Sequence, residues 1–161
     1  MFNKSIQTWL SEYSESHQNK INKLIHWICV PTIFWTLLAL LWQIQLPSLG
    51  YINLATALIL YGLIFYATLS FRLMLGMLLV CSAFVAIILW YEATLTTPIW
   101  KTALIVFVIA WIGQFIGHGI EGKKPSFFKD LQFLLIGPAW VISFIYQRLG
   151  ISLIKPQKSH P

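Results

Sequence analysis

Long apolar segments separated by short polar breaks are the main pattern of this chain. No Asp, Glu, Lys or Arg occurs from Leu24 to Phe71, and further uncharged segments begin at Leu73, Thr102 and Leu131. A helix satisfies its own backbone hydrogen bonds inside lipid, and one span needs about 20 apolar residues. The pattern therefore predicts an all-α fold, a polytopic transmembrane helical bundle of four to five spans.

Turn residues and polar breaks set the predicted bounds of these spans. We predict spans over Leu24–Leu46, Asn53–Phe71, Leu73–Tyr91 and Pro98–Gly117, with Leu131–Leu149 as an additional fifth. Pro31 falls inside the first span, where neighbouring helices can satisfy the carbonyl that proline leaves free. Residues 24–149 are thus expected to form the bundle, and residues 150–161 a disordered tail.

The N-terminal segment has a different pattern. Apolar residues recur there at steps of three and four with polar residues between them, which is typical of an amphipathic helix. These apolar positions are Phe2, Ile6, Trp9, Leu10 and Tyr13. Residues 1–23 are therefore predicted to form a surface helix that docks rather than spans, followed by a polar, His-containing turn.

Composition and charge exclude two classes of protein. Hydrophobic residues make up 58% of the chain and charged residues 10%, which is too few polar residues to cover a soluble domain. The net charge of +6 resides in the loops and tails, so anionic lipid headgroups are expected partners and nucleic acid is not. Positive residues concentrate on the side of the N-terminus, which favours a cytoplasmic N-terminus. They are Lys4, Lys20, Lys23, Arg72, Lys123, Lys124 and Lys129.

Three of the four histidines are predicted to lie on one face of the membrane. His17 and His26 precede or open the first span, His118 closes the fourth, and an even number of crossings separates them. On a straight helix His17 and His26 would lie about 13 Å apart along the axis, so they can meet only if the chain bends near His17. Asn22, one turn before His26, shares its face. His160 falls in the predicted tail.

These histidines indicate a metal site. Glu121 follows His118 by three positions, so one helical turn would direct both side chains the same way, whereas a loop is the alternative because glycines flank them. Neutral imidazole suits zinc, copper or iron, and two histidines with one carboxylate are typical of non-haem Fe(II) oxygenases. The alternative is that histidines at a membrane interface bind only headgroups or water.

Five cations are predicted on the same face as the histidines. They are Lys20, Lys23, Arg72, Lys123 and Lys124. Such residues could bind the carboxylate of an amphiphilic acid whose tail enters the bundle. Alternatively, they only set the topology and contact lipid headgroups.

Two stretches of the chain resemble the signature stretches of a known family. HQNKINKLIH, residues 17–26, is followed by Pro31, and QFIGHGIE, residues 114–121, is followed by Pro125. Both are similar to stretches of the 2-hydroxy fatty acid dioxygenase family, small membrane proteins linked to phytosphingosine breakdown. The resemblance covers almost the whole chain.

The resemblance implies a specific activity and site. It implies an Fe(II)-dependent enzyme that uses dioxygen to shorten a 2-hydroxy fatty acid by one carbon and releases carbon dioxide. It implies that His17, His26 and His118 are catalytic and bind the metal, that Glu121 is a further ligand, and that Asn22 supports them. We expect an integral membrane protein, in the cytoplasmic membrane of a bacterium or the endoplasmic reticulum of a eukaryote, with its metal site on the cytoplasmic face.

Other functions fit the sequence less well. A non-catalytic lipid-binding or scaffold protein is the main alternative, and it predicts that replacing His26 or His118 leaves function unchanged. Membrane hydroxylases and desaturases with two metals carry about twice as many histidines. A transporter needs ionisable residues deep within its spans, and this chain has almost none there. The chain also lacks a glycine-rich fingerprint for a nucleotide cofactor.

Overall fold

The structure, a computed structural model, describes residues 4–47, 52–124 and 133–153. These residues form six α-helices. In chain order they are α1 (Ile6–Ser14), α2 (Lys20–Trp42), α3 (Leu54–Leu69), α4 (Phe71–Thr94), α5 (Ile99–Glu121) and α6 (Phe133–Arg148). The β-structure of the described part is an isolated bridge between Gln45 and Asn53. The predicted all-α class is confirmed.

Each predicted span corresponds to one apolar helix. Helices α2, α4 and α5 have 23, 24 and 23 residues and are long and apolar enough to cross a membrane. Helices α3 and α6 are apolar but have 16 residues each, fewer than the roughly 20 that a full crossing needs. Helix α3 is shorter than predicted because the side chain of Asn53 caps its start and Ser70, in an extended conformation, ends it.

Helix α2 is the centre of the bundle. It packs against α3, α4, α5 and α6. On the outer surface, Ile64, Leu79 and Ile109 are 67%, 73% and 62% exposed, which is the pattern expected of helices that face lipid. Leu38 and Met77 are fully buried inside.

The packing of α2 on α5 depends on two glycines one turn apart. A Cβ atom at Gly113 would lie 2.8 Å from the Sγ of Cys29, and one at Gly117 would lie 2.5 Å from the Oδ1 of Asn22. Small residues four apart allow two membrane helices to approach closely. This close approach brings the end of α5 next to the first turns of α2.

Helix α1 is amphipathic, as predicted, but its apolar face packs on the protein. Ser5 caps the helix, and Ile6, Trp9 and Tyr13 are buried. The ring of Trp9 lies 5.4 Å from that of Phe133, at the start of α6. Helix α1 therefore docks on α6; Phe2, also predicted on this face, lies outside the described residues.

The segment after α6 returns to the turn between α3 and α4. The Oγ of Ser70 donates a hydrogen bond of 2.6 Å to the carbonyl of Leu153, and Arg72 donates one of 2.6 Å to the carbonyl of Ser152. Residues 154–161, most of the predicted tail, lie outside the described residues, as does Lys129.

We predict that Gly117→Ala destabilises the protein while Gly119→Ala does not. The new methyl group at position 117 would force α2 and α5 apart, and overpacking of this kind lowers the free energy of unfolding by about 1–3 kcal/mol. No atom lies within 4 Å of a Cβ at Gly119, so alanine there should be neutral or stabilising by about 0.5–1 kcal/mol. Thermal unfolding in detergent, followed by circular dichroism, measures both. Equal Tm values for the two variants would contradict the packing argument.

Candidate metal centre

Three histidines from distant parts of the chain meet at one end of the bundle. His17 comes from the turn between α1 and α2, His26 from the second turn of α2, and His118 from the last turn of α5. The ring of His17 lies 4.2 Å from that of His26 and 5.1 Å from that of His118, and the last two rings are 4.8 Å apart. Each offers one nitrogen, and these nitrogens lie within 4.8 Å of one another. All three side chains are buried, with at most 5% exposed.

The bend predicted near His17 brings it back over the start of α2. The backbone N–H of His17 donates to the carbonyl of Ser14, at 3.0 Å, which tightens the chain after α1. Asn19 then caps α2, since its side chain accepts hydrogen bonds from the N–H groups of Ile21 and Asn22. His17 and His26 are thus neighbours despite the nine residues between them.

The end of α5 resolves the two alternatives for His118 and Glu121. Gly122 has φ of 71°, a left-handed conformation that glycine adopts without strain, and it ends the helix. The N–H of Gly122 donates to the carbonyl of Gly119, and that of Lys123 to the carbonyl of His118. His118 and Glu121 therefore both belong to the last helical turn and not to a loop.

Backbone carbonyls determine which nitrogen carries the proton in two of the three imidazole rings. The Nδ1–H of His17 donates to the carbonyl of Tyr13 at 2.6 Å, and the Nδ1–H of His26 donates to the carbonyl of Asn22 at 2.9 Å. A carbonyl only accepts, so in the neutral rings the proton is on Nδ1 and Nε2 keeps its lone pair. Burial lowers the pKa of His17 to about 4, so this ring stays neutral at physiological pH. Metal-binding histidines are commonly oriented by such bonds.

The inner nitrogens have the spacing of ligands to one cation. The Nε2 atoms of His26 and His118 are 3.1 Å apart. Two ligands bonded at roughly 2.1 Å, at angles between those of an octahedron and a tetrahedron, lie about 3.0–3.4 Å apart. The Nε2 of His17 and the Nδ1 of His118 are buried and have no hydrogen-bond partner within the described parts of the chain. Three neutral imidazoles fit Fe(II), zinc or copper and leave coordination positions for other ligands.

Glu121 lies beside this cluster and does not belong to it. Its Oε1 accepts a hydrogen bond of 2.7 Å from the N–H of Gln18. Its Oε2 accepts hydrogen bonds of 2.9 Å from the N–H of Asn19 and from the Nδ2 of Asn22. This carboxylate joins the end of α5 to the turn that carries His17, and metal binding by Glu121 stays a prediction.

Asn22 and two aromatic residues surround the histidines. The Nδ2 of Asn22 also donates to the carbonyl of Ser16, at 3.2 Å, so Asn22 holds the turn from inside. Tyr13 stacks on His17 with ring centroids 4.2 Å apart, and Trp140 lies 5.2 Å from the same ring. Burial raises the pKa of the Tyr13 phenol. The sequence pattern indicates Asn22 as part of the site, but it does not indicate Tyr13 or Trp140.

An apolar cavity opens next to the histidines, between α5 and α6 on one side of α2. His26 and His118 belong to its lining, which the remaining residues make mostly apolar. The other lining residues are Tyr13, Val30, Ile33, Phe34, Leu37, Trp111, Gln114, Phe133, Leu134, Gly137 and Pro138. From His26 to Leu37 the lining follows one face of α2 over roughly 16 Å. Such a cavity suits an amphiphile whose polar end lies at the imidazoles.

The five predicted carboxylate-binding cations do not line this cavity. Arg72 lies at the start of α4 and binds the carbonyl of Ser152. The Nζ of Lys123 donates to the carbonyl of Glu15. Lys20 and Lys124 are exposed, and Lys23 is half-buried. The structure therefore does not place these cations where a carboxylate in the cavity would need them.

We predict that the purified protein binds one divalent transition-metal ion per chain through the histidine cluster. His17→Ala, His26→Ala and His118→Ala should each lower the metal content by at least about tenfold, because each removes one of three nitrogens. Glu121→Gln should keep more of the metal than these three variants while lowering the Tm, since it leaves the three nitrogens in place but an amide NH₂ would oppose the N–H donors of the turn. Plasma mass spectrometry after loading gives the stoichiometry. Full metal content in all three alanine variants would exclude the cluster as the site.

Comparisons with known proteins agree with the sequence resemblance. The family model described as 2-hydroxy-palmitic acid dioxygenase Mpo1-like matches residues 3–149. The chain is 32% identical over 149 residues to the 2-hydroxy-palmitic acid dioxygenase MPO1 of Saccharomyces cerevisiae, which covers 90% of this chain and 82% of the yeast protein. No solved structure was found to match. The chain belongs to the 2-hydroxy-palmitic acid dioxygenase Mpo1-like family.

Proposed function

We propose that this protein is an Fe(II)-dependent dioxygenase that shortens a 2-hydroxy fatty acid by one carbon and releases carbon dioxide. The observation that carries the proposal is the buried cluster of three imidazoles next to an apolar cavity. The name of the yeast relative supports the class of substrate and of reaction. The reaction balances as one 2-hydroxy acid and one dioxygen giving the shorter acid, carbon dioxide and water.

The donor set fits the metal that this reaction needs. His17, His26 and His118 would hold Fe(II), which supplies the activation of dioxygen when bound. The hydroxyl-bearing carbon becomes a carboxyl carbon and the original carboxyl group leaves as carbon dioxide, so the substrate itself provides the four electrons that dioxygen takes up. No flavin or 2-oxoglutarate is required.

The protein orients the imidazoles before any ligand binds. The carbonyls of Tyr13 and Asn22 hold the Nδ1–H groups of His17 and His26, so the lone pairs of both Nε2 atoms are directed inward. Burial disfavours the charged form of His17, so its Nε2 stays unprotonated. The aromatic rings of Tyr13 and Trp140 cover His17 and exclude water.

The bundle supplies an apolar path for the acyl chain. Val30, Phe34 and Leu37 line the cavity along α2, so an acyl chain that starts at the histidines runs into the membrane-spanning part of the protein. The same end of the bundle carries Lys20 and Lys123, and the positive-inside rule then favours the cytoplasmic face for the metal. A fatty acid dissolved in the membrane can reach this cavity without crossing water.

We predict that the purified protein, loaded with Fe(II) without oxygen and then given air and 2-hydroxypalmitate, forms pentadecanoic acid and carbon dioxide in equal amounts. His17→Ala, His26→Ala and His118→Ala should each lower kcat/KM by about 100-fold or more, because each leaves the metal under-coordinated. His160→Ala, the remaining histidine, is the matched control and should keep full activity. Mass spectrometry of the acids and of labelled carbon dioxide from carboxyl-labelled substrate measures both products.

The same experiment separates the enzyme from the alternative of a non-catalytic lipid-binding or scaffold protein. A folded, Fe(II)-loaded protein that binds 2-hydroxypalmitate but forms no shorter acid in air would refute the dioxygenase proposal. Activity with zinc alone would refute the dependence on Fe(II), since zinc has no redox chemistry.

A further inference from the structure

Two polar groups at the cavity, the hydroxyl of Tyr13 and the amide of Gln114, are not part of the metal cluster. Tyr13 and Gln114 are each 6% exposed, and both line the cavity beside His26 and His118. Neither the hydroxyl of Tyr13 nor the amide of Gln114 forms a hydrogen bond with the described residues, whereas the buried hydroxyls of Tyr66 and Tyr91 both have partners. Both groups line the cavity, so they can donate hydrogen bonds to a ligand that enters it.

We propose that the hydroxyl of Tyr13 and the amide of Gln114 form a neutral site that binds the carboxylate of the amphiphilic acid. The inference rests on the proposed function for the identity of the acid. The hydroxyl of Tyr13 has an O–H donor and the amide of Gln114 has N–H donors, and a carboxylate accepts hydrogen bonds from both kinds of donor. Charge-assisted hydrogen bonds of this kind are stronger than those between neutral groups.

The positions of the two residues fit this role. Gln114 precedes His118 by four residues, so it lies one turn further into the bundle, about 6 Å along α5, and on the same face. The ring of Tyr13 stacks on His17, and its hydroxyl reaches toward α6, where a Cβ at Gly137 would lie 3.1 Å from it. The two donors thus approach the cavity from opposite walls, next to the imidazoles.

The absence of cations from the cavity lining supports neutral recognition. None of the cavity-lining residues in the described parts of the chain is Lys or Arg. An unpaired cation would be costly to bury beside a metal ion, because like charges repel in a medium of low dielectric constant. Neutral donors orient a carboxylate without that cost.

The test compares two lipids of equal length that differ in the carboxylate. The binding of 2-hydroxypalmitate and of hexadecane-1,2-diol is measured by equilibrium dialysis, without oxygen, on protein in lipid nanodiscs, both metal-free and loaded with Fe(II). Tyr13→Phe, which keeps the ring on His17, and Gln114→Leu should each weaken binding of the acid by about tenfold or more. Binding of the diol should change far less. Gln114→Glu should weaken binding of the acid most, because two carboxylates then repel.

Two matched controls remove equivalent groups elsewhere. Tyr66→Phe removes a buried hydroxyl that donates to the carbonyl of Leu135, outside the cavity, and Gln43→Leu removes an amide that donates to Glu92 near the other end of the bundle. Both should bind the acid as the unmodified protein does. Unchanged metal content and Tm in Tyr13→Phe and Gln114→Leu would show that the loss is not a folding defect.

The possible results separate this site from the proposed reaction. Acid affinity that is unchanged in Tyr13→Phe and Gln114→Leu, or that falls equally for acid and diol, overturns the carboxylate site even if the unmodified protein is an active dioxygenase. Selective loss of acid binding in a protein that forms no shorter acid supports the site and refutes the reaction. Failure of the unmodified protein to bind the acid overturns the site.

Discussion

The carboxylate of Glu121 is the contact on which the geometry of the histidine cluster depends. It binds the N–H groups of Gln18 and Asn19 and the amide of Asn22, and Gln18 and Glu121 are 103 residues apart in sequence. Hydrogen bonds to a charged acceptor are about twice as strong as those between neutral groups. The turn that carries His17 is therefore held in register with the last turn of α5, which carries His118.

Much of the fold was accessible from the sequence because its signals are local. The five predicted spans correspond to five apolar helices, and the three- and four-residue spacing up to Tyr13 corresponds to α1. The predicted number of crossings placed His17 and His118 on one membrane face, since an even number returns the chain to the same side, and their contact depended in addition on the bend near His17. The length of α3 was overestimated because the caps at Asn53 and Ser70 act at its ends, whatever its hydropathy.

The interactions within the site were harder to predict, because they depend on which donors lie nearby in space. The position of Glu121, three residues after a histidine, is typical of a metal ligand. The sequence does not show that this carboxylate accepts hydrogen bonds from the N–H groups of a remote turn. Arg72, predicted on the same membrane face as the histidines, lines a different groove. One sequence signal was applied to Asn22 and His26 but not to Gln114: Gln114 also precedes a histidine of its own helix by four residues and therefore lies on the face of His118.

The two glycines of α5 make one wall of the cavity more tightly packed than the other. Side chains of α2 pack so closely on Gly113 and Gly117 of α5 that a Cβ atom at either glycine would collide with them, which leaves no free space between these two helices. Helix α6 forms the opposite wall, and Pro138 within it has no N–H to donate to the carbonyl of Leu134, so this helix lacks one internal bond where it borders the cavity. Of the two walls formed by α5 and α6, the one formed by α6 therefore has the weaker internal hydrogen bonding.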